Sequence, residues 1–186
     1  RAQSVTTLRF HTFVPAMSNV YSRLITPWMA KIEQESGGRL KFQAFPSMQM
    51  GGAPAQLYDQ ARDGVVDVVW SLAGYTPGRF PRSEVFELPF FTYDAEGSSR
   101  AAWDYIANYA PDEFREVKLL ACHTHGLNIL HMKSKLVTKA SDMRGLKIRG
   151  GTRKNTQILS AVGAIAVGMP LPEVPNALSK GLIEGA

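Results

Sequence analysis

The stretch Asp142–Thr152, Asp-Met-Arg-Gly-Leu-Lys-Ile-Arg-Gly-Gly-Thr, constrains the fold of this chain more than any other. It reads as a short strand ending in Arg149, then two glycines, then the start of a helix. Alternation puts Leu146 and Ile148 on one face and Lys147 and Arg149 on the other. Gly150 and Gly151 permit the sharp turn and close backbone approach that the next helix requires. Thr152 is placed to cap the run Arg153–Val162. A guanidinium fork at the carboxyl end of a strand, beside helix N–H groups, suits a carboxylate or a phosphate. The plain alternative is a solvated basic loop, and the rest of the chain decides between them.

The remaining pattern alternates strand and helix. Thr7–Phe13 is a first strand, with Leu8 and Phe10 alternating against Arg9 and His11. A helix over Asn19–Glu35 follows, with Val20, Leu24, Trp28 and Ile32 on one stripe, and Pro27 predicts a kink or a late start. Leu40–Phe45 alternates as a second strand, a helix spans Pro54–Asp63, and Val65–Trp70 is nearly continuously apolar, as in a parallel strand covered on both faces. This order is that of an α/β protein. Gly74–Pro89 reads as a long ordered loop and Glu96–Tyr109 as a helix. Val117–Cys122 and Leu127–Met132 read as strands with no flexible linker between them, a passage from one lobe to another. After the Arg149 strand and its helix come a short strand, Ala164–Val167, and a helix, Pro172–Lys180, with Pro172 near its first turn. The last residues, Gly181–Ala186, repeat the helix-to-strand character of Asp63–Val68, so a strand is left half made and a fragment of a longer protein is expected.

Composition bounds the function. At 186 residues, 45% hydrophobic and 20% charged, the chain is of ordinary globular make-up. No run approaches the ~18 apolar residues of a membrane span. Arg1-Ala2-Gln3-Ser4 suits a mature end left by leader removal. The net charge of +5 includes a cluster of Arg144, Lys147, Arg149, Arg153 and Lys154. That cluster has no interleaved aromatics for base stacking, so no nucleic-acid partner is expected, and a basic surface also steers anionic ligands. The lone Cys122 reads as a small buried hydrophobe.

Gly37-Gly38-Arg39-Leu40, Pro46-Ser47-Met48-Gln49-Met50-Gly51, Arg62-Asp63-Gly64-Val65-Val66-Asp67, Leu88-Pro89-Phe90-Phe91, Asp142–Arg149 and Pro172-Glu173-Val174 occur in this order through nearly the whole chain. Each alone is weak. In sequence, at these spacings, they resemble the solute-binding proteins of tripartite ATP-independent periplasmic (TRAP) transporters, the DctP type. The resemblance implies an α/β, two-lobed, periplasmic-binding-protein-like (Venus-flytrap) fold, hinged around a cleft that closes on a ligand. Residues 1–122 would form the first lobe and 123–186 the beginning of the second, which is incomplete here. It also implies a periplasmic protein that captures an organic acid and delivers it to the permease subunits in the membrane, without a cofactor.

In that family an arginine at the end of the strand corresponding to Asp142–Arg149 forms a salt bridge with the ligand carboxylate, and Arg149 occupies that position, with Thr152 beside it. Acid-sugar binders carry a further arginine where this chain has Asn128, an amide that can hydrogen-bond without a second full charge. Around the same cleft the resemblance places Phe13, Trp70, Leu72, Tyr75 and Leu171, mostly apolar or aromatic. Sugar hydroxyls desolvated against such walls would lack partners. The expected ligand is therefore a compact monocarboxylate with an apolar or aromatic body. For each of these side chains ordinary core packing is the competing explanation.

Other chemistry is set aside. His123, His125 and His131 could share a strand face, but no carboxylate lies near them to complete a zinc site, so no metal is expected. Gly-x-Ser-x-Gly is absent, Cys122 sits among apolar residues, and Gly150–Lys154 lacks P-loop spacing. Asp67 and Glu173 are acids by type only, and capping or strand-end roles suffice for both. No catalytic residue is assigned. The alternatives are an α/β enzyme that orients an anionic substrate with Arg149, distinguished by turnover of a carboxylate, and a ligand-sensing regulator.

Overall fold

The computed structural model describes residues 4–186. The first three residues, part of the end expected from leader removal, lie outside the described residues. The chain divides into two compact units, one ending at Leu72 and the other starting at Ala73.

The first unit is built on three parallel strands, β1 (Thr6–Thr12), β2 (Leu40–Phe45) and β3 (Val68–Trp70), in the order β2-β1-β3. Leu8 lies opposite Phe42 and Phe10 opposite Val68. Helix α1 (Thr26–Glu35) connects β1 to β2. Trp28 from α1 packs tilted against Phe42 at 5.4 Å and Phe10 at 6.3 Å between ring centroids. Pro27 lies in the first turn of α1, and a π-helical turn, Tyr21–Ile25, precedes it. There the Thr26 N–H reaches back five residues to the Tyr21 carbonyl. This wider turn shifts the stripe: Leu24 is exposed and Ile25 buried in its place. The equal four-residue spacing from Val20 does not survive that extra residue.

Helix α2 (Leu57–Arg62) is entered through a 3-10 turn, Pro54–Gln56. Strand β3 is shorter than the apolar run suggested. The Val65 and Val66 amides bond back to the Gln60 carbonyl as the helix ends, leaving Val65 exposed and only Val68–Trp70 in the ladder, half-buried. At the other end of β1, His11 is fully buried. Its Nε2 accepts the Met50 N–H at 3.4 Å, so Nδ1 carries the hydrogen and donates to Gln60 Oε1 at 2.7 Å. The turn after β2, in which Ser47 and Met48 have left-handed φ angles of 54° and 57°, is thereby fastened to the strand end that carries Phe13. The Ser47 and Met48 amides bond to the Val14 and Thr12 carbonyls.

The second unit opens with the loop predicted from its prolines, tightened by 3-10 turns at Ala73–Tyr75 and Ser83–Glu87. Helix α3 (Ala95–Tyr109) starts on Asp94, whose carboxylate accepts the Gly97 N–H. Glu113 takes the amides of Arg82 and Ser83, tying the loop to the turn after α3. Two parallel strands follow, β4 (Lys147–Gly150) and β5 (Ile165–Gly168), with α4 (Arg153–Ala161) between them and α5 (Val174–Ser179) after them. Leu146, Ile148 and Ala164 form one core cluster, joined by Leu130, Met132 and Leu159. Val174, Ala177 and Ile183 form another.

The strands expected at Val117–Cys122 and Leu127–Met132 are not formed as ladders. Apolar alternation specifies an extended backbone but not a partner. Among the described residues only the end of the second run is paired, where Met132 bridges antiparallel to Gly185. Gly185 also bridges parallel to Ile148, so the segment around Gly185 pairs beside β4. Cys122 is accordingly half-buried in extended chain rather than in a strand, and burial pushes its thiol above the ordinary value.

Candidate functional site

The Arg149 corner is built by the β4–β5 ladder. Arg149 pairs with Val167 and Gly150 with Gly168, which brings the residue after β5, Met169, alongside the arginine. Arg149 Nε donates to the Met169 carbonyl at 2.9 Å. The side chain is half-buried, and among the described residues no carboxylate pairs with its terminal nitrogens. A cation partly removed from water, with the outer edge of its fork uncommitted, has the chemistry to take an anionic oxygen pair.

Its basic neighbours differ. Glu84, reaching from the loop, pairs with Arg153 at 2.9 Å and Lys154 at 3.8 Å and accepts the Gly78 amide at 2.9 Å. Burial alone would raise the Glu84 carboxyl, yet Gly78 and Arg153 together hold it below the ordinary glutamate range. Arg153 and Lys154 are thus compensated from within the unit, whereas Arg144, Lys147 and Arg149 have no carboxylate partner among the described residues; of these three, Arg144 and Lys147 are exposed and Arg149 alone is half-buried.

Thr152 is buried and caps α4, accepting the Asn155 N–H at 3.2 Å. Its hydroxyl donates to Glu87 Oε2 at 2.6 Å. A hydroxyl has one hydrogen to give, so this residue holds the helix start and the loop together and has no donor left for a ligand oxygen. Burial pushes the Glu87 carboxyl upward, partly offset by the Thr152 hydrogen bond.

Tyr75 and Leu171 are brought together: the Leu171 amide donates to the Tyr75 hydroxyl at 2.9 Å, two residues past the carbonyl that holds Arg149. Phe13 and Trp70 are also neighbours, tilted by 40° with centroids 5.5 Å apart. Phe13 is buried, whereas Trp70 and Leu72 are half-exposed. Asn128 is exposed in the extended run, and no hydrogen bond links it to the Arg149 corner among the described residues. Open surface depressions lie around Leu130–Val137 and around Arg144, Ser160 and Gly163, and neither is lined by a candidate residue. His125 Nδ1 is 2.6 Å from the Gly126 carbonyl, and burial pushes His123 below the ordinary imidazole value. Among the described residues no group of three or more His, Cys, Asp or Glu gathers as a metal site. Asp67 is committed to Arg9.

Residues 10–186 match the family described as bacterial extracellular solute-binding protein, family 7, DctP. The chain belongs to that family. Three solved structures of TRAP solute-binding proteins are similar to it. A TRAP solute-binding protein from Rhodoferax ferrireducens T118, in complex with copurified benzoate, is 55% identical with a TM-score of 0.96, over 98% of this chain and 56% of that one. A marine-metagenome TRAP protein described as specific for aromatic acid ligands, bound to 3-hydroxybenzoate, is 46% identical with a TM-score of 0.96, over 98% of this chain and 57% of that one. A Bordetella bronchiseptica TRAP periplasmic protein with bound (R)- and (S)-mandelate is 34% identical with a TM-score of 0.89, over 97% and 57%. The chain spans about half the length of the curated relatives it matches, 48% of a Comamonas testosteroni protein at 25% identity. The fold is the α/β fold of the TRAP solute-binding proteins. No helix among the described residues is long and apolar enough to cross a membrane.

Within this DctP fold, sequence reasoning missed three contributors: Met169, Glu84 and Glu87. The two acids act on residues 65 to 70 positions away, and nothing local in a proline-rich loop signals that reach. Met169 acts through its carbonyl, which side-chain chemistry does not reveal.

Proposed function

We propose that this protein captures a small aromatic monocarboxylate in the periplasm and delivers it to the permease subunits of a TRAP transporter. The observation that carries the reading is Arg149: a half-buried guanidinium at a strand end, anchored through Nε, with no carboxylate partner among the described residues. The acid's head would meet the Nη1–Nη2 edge as a bidentate pair. Phe13, Trp70, Leu72, Tyr75 and Leu171 are proposed as the surroundings of the ligand body, with Phe13, itself buried, acting as backing for Trp70. Asn128 is proposed as a hydrogen-bonding contact, and Thr152 as a residue that holds the corner rather than touches the ligand. The change of lobe is proposed near Cys122–His123.

The aromatic preference is supported by the apolar character of these side chains and by the aromatic acids named for relatives of 34–55% identity. Isothermal calorimetry of the full-length protein with benzoate, 3-hydroxybenzoate and D-galacturonate tests it. Benzoate or its hydroxylated analogue should bind and raise the melting temperature. Tighter binding of the uronate than of either aromatic acid would overturn the aromatic assignment, and conversion of any of them to product would overturn the transport reading.

A further inference from the structure

We propose that Gly151 is a positioning residue for ligand capture: the β-carbon it lacks is the seat of the Arg149 guanidinium. The inference rests on the carboxylate reading above and adds a residue to it. An ideal β-carbon built on Gly151 would lie 2.9 Å from Arg149 Nη2, 3.0 Å from Cζ and 3.0 Å from Nη1. Near-equal distances to three atoms of one planar group place that point over the guanidinium face, not at its edge. The same group is fixed at its inner edge by the Nε hydrogen bond to Met169. One face and the Nε edge are therefore held against backbone, and the outer Nη1–Nη2 edge, which has the in-plane donors, is left to a carboxylate. The grip is end-on, at a depth set by Gly151.

The demand for glycine does not come from the backbone. Gly151 is not among the glycines with left-handed φ, so alanine is compatible with its conformation. Its neighbour has a different reason to be glycine. A β-carbon on Gly150 would lie 2.8 Å from the Thr156 nitrogen and 3.1 Å from its Cα, which are backbone atoms of α4. Helix packing explains Gly150, and the arginine explains Gly151. Because an arginine end yields more easily than a helix, Gly151→Ala should be absorbed by a guanidinium shift of about 0.5–1 Å, back to ordinary contact distance. A displacement of that size at a bidentate contact is expected to weaken binding about 10- to 100-fold, by analogy with misplaced reacting groups.

The test uses full-length wild type, Gly151→Ala and Arg149→Met, each measured by calorimetry with benzoate, by thermal melting, and by the Arg149 Nε–H resonance in ligand-free protein. Gly151→Ala should melt within about 2 °C of wild type, since the strain is released in a flexible side chain, while binding benzoate at least tenfold more weakly and moving the Nε–H resonance. If Arg149→Met abolishes binding but Gly151→Ala changes neither affinity nor resonance, the seat is refuted and the carboxylate reading stands. A large fall in melting temperature with an unmoved resonance would assign Gly151 to the fold instead, and equally refute the seat. Unchanged benzoate affinity in Arg149→Met would overturn both. The resonance needs no ligand, so it decides the seat even if wild type proves indifferent to benzoate.

Discussion

Arg9 in β1 and Arg149 in β4 stand in parallel sheets of the same kind, yet their surroundings give them different work. Arg9 points its guanidinium at Asp67, with Nε to Oδ2 at 3.0 Å, and at the Gly64 carbonyl at 3.0 Å. Asp67 also takes the Arg9 backbone amide at 2.7 Å. The first unit thus supplies a carboxylate just ahead of the neighbouring strand, and the pair joins β1 to the turn before β3. At the corresponding place before β5 the second unit has Ala164, and after β5 it offers only the Met169 carbonyl. An arginine given a carbonyl but no carboxylate is anchored without being neutralised. That contrast separates a structural arginine from a receptive one better than either position's sequence does.

The comparison breaks first on affinity. Arg149→Met, or Arg149→Lys, which replaces a planar fork by a point charge, should cost about 2–5 kcal/mol of benzoate binding, more than tenfold in Kd. Arg9→Met should leave the Kd unchanged within about twofold, since an exposed structural pair carries no ligand contact. Calorimetry on the two variants decides it, and equal losses would show that the two arginines were wrongly separated.

The next largest effect concerns stability. Gly150→Ala drives a methyl into the backbone of α4 and should destabilise by about 1–3 kcal/mol, as overpacking does. For a protein of this size that lowers the melting temperature by several degrees. The neighbouring Gly151→Ala should not. Similar melting temperatures for both variants would remove the distinction between a glycine demanded by a helix and one demanded by a side chain.

A smaller effect sharpens the Arg9 half. The hydrogen bond and charge of Arg9 hold the Asp67 carboxyl below its ordinary value, against a desolvation that would raise it. An acid with a depressed folded-state value contributes stability that is present above its unfolded value and lost as pH falls through the folded one. Asp67→Asn should therefore melt about 1–2 °C lower than wild type at pH 7, the small effect of a partly exposed pair, and the gap should close as the solution is made acid. A gap that stays constant down to pH 3 would mean the pair contributes through packing rather than charge.

The strand–turn–helix around Arg149 was legible because each of its parts is local: alternation, the glycine pair and the Thr152 cap all act within eleven residues. The succession β1, α1, β2 followed from periodicity for the same reason, and with it the α/β class. Where a feature depended on a change of helical register or on a distant partner, the sequence was silent. Leu24 yielded to Ile25 because a π-helical turn changed the register. Val117–Cys122 has the pattern of a strand, but pairing needs a neighbour and none is present among the described residues. At the site, Arg149 could be named from its position, whereas its lack of a carboxylate could not, because Glu84 goes to Arg153 and Lys154 across nearly 70 residues.

The smallest expected effect tests the loop's hold on the Arg149 corner. Glu87 is pushed upward chiefly by burial, and the Thr152 hydroxyl offsets only part of that push. For an acid whose folded value is raised, the folded state retains its proton after the unfolded chain has released it. Stability then falls as pH rises, from about the ordinary glutamate value of 4.5 up to the raised folded value, and is level beyond it. Glu87→Gln keeps an oxygen that can accept from Thr152 but has no proton to lose. Its melting temperature should gain on wild type across that window and keep the gain at neutral pH. Parallel curves would place the Glu87 carboxyl in water rather than against Thr152. They would also remove the contact through which the loop holds the start of α4 beside Arg149.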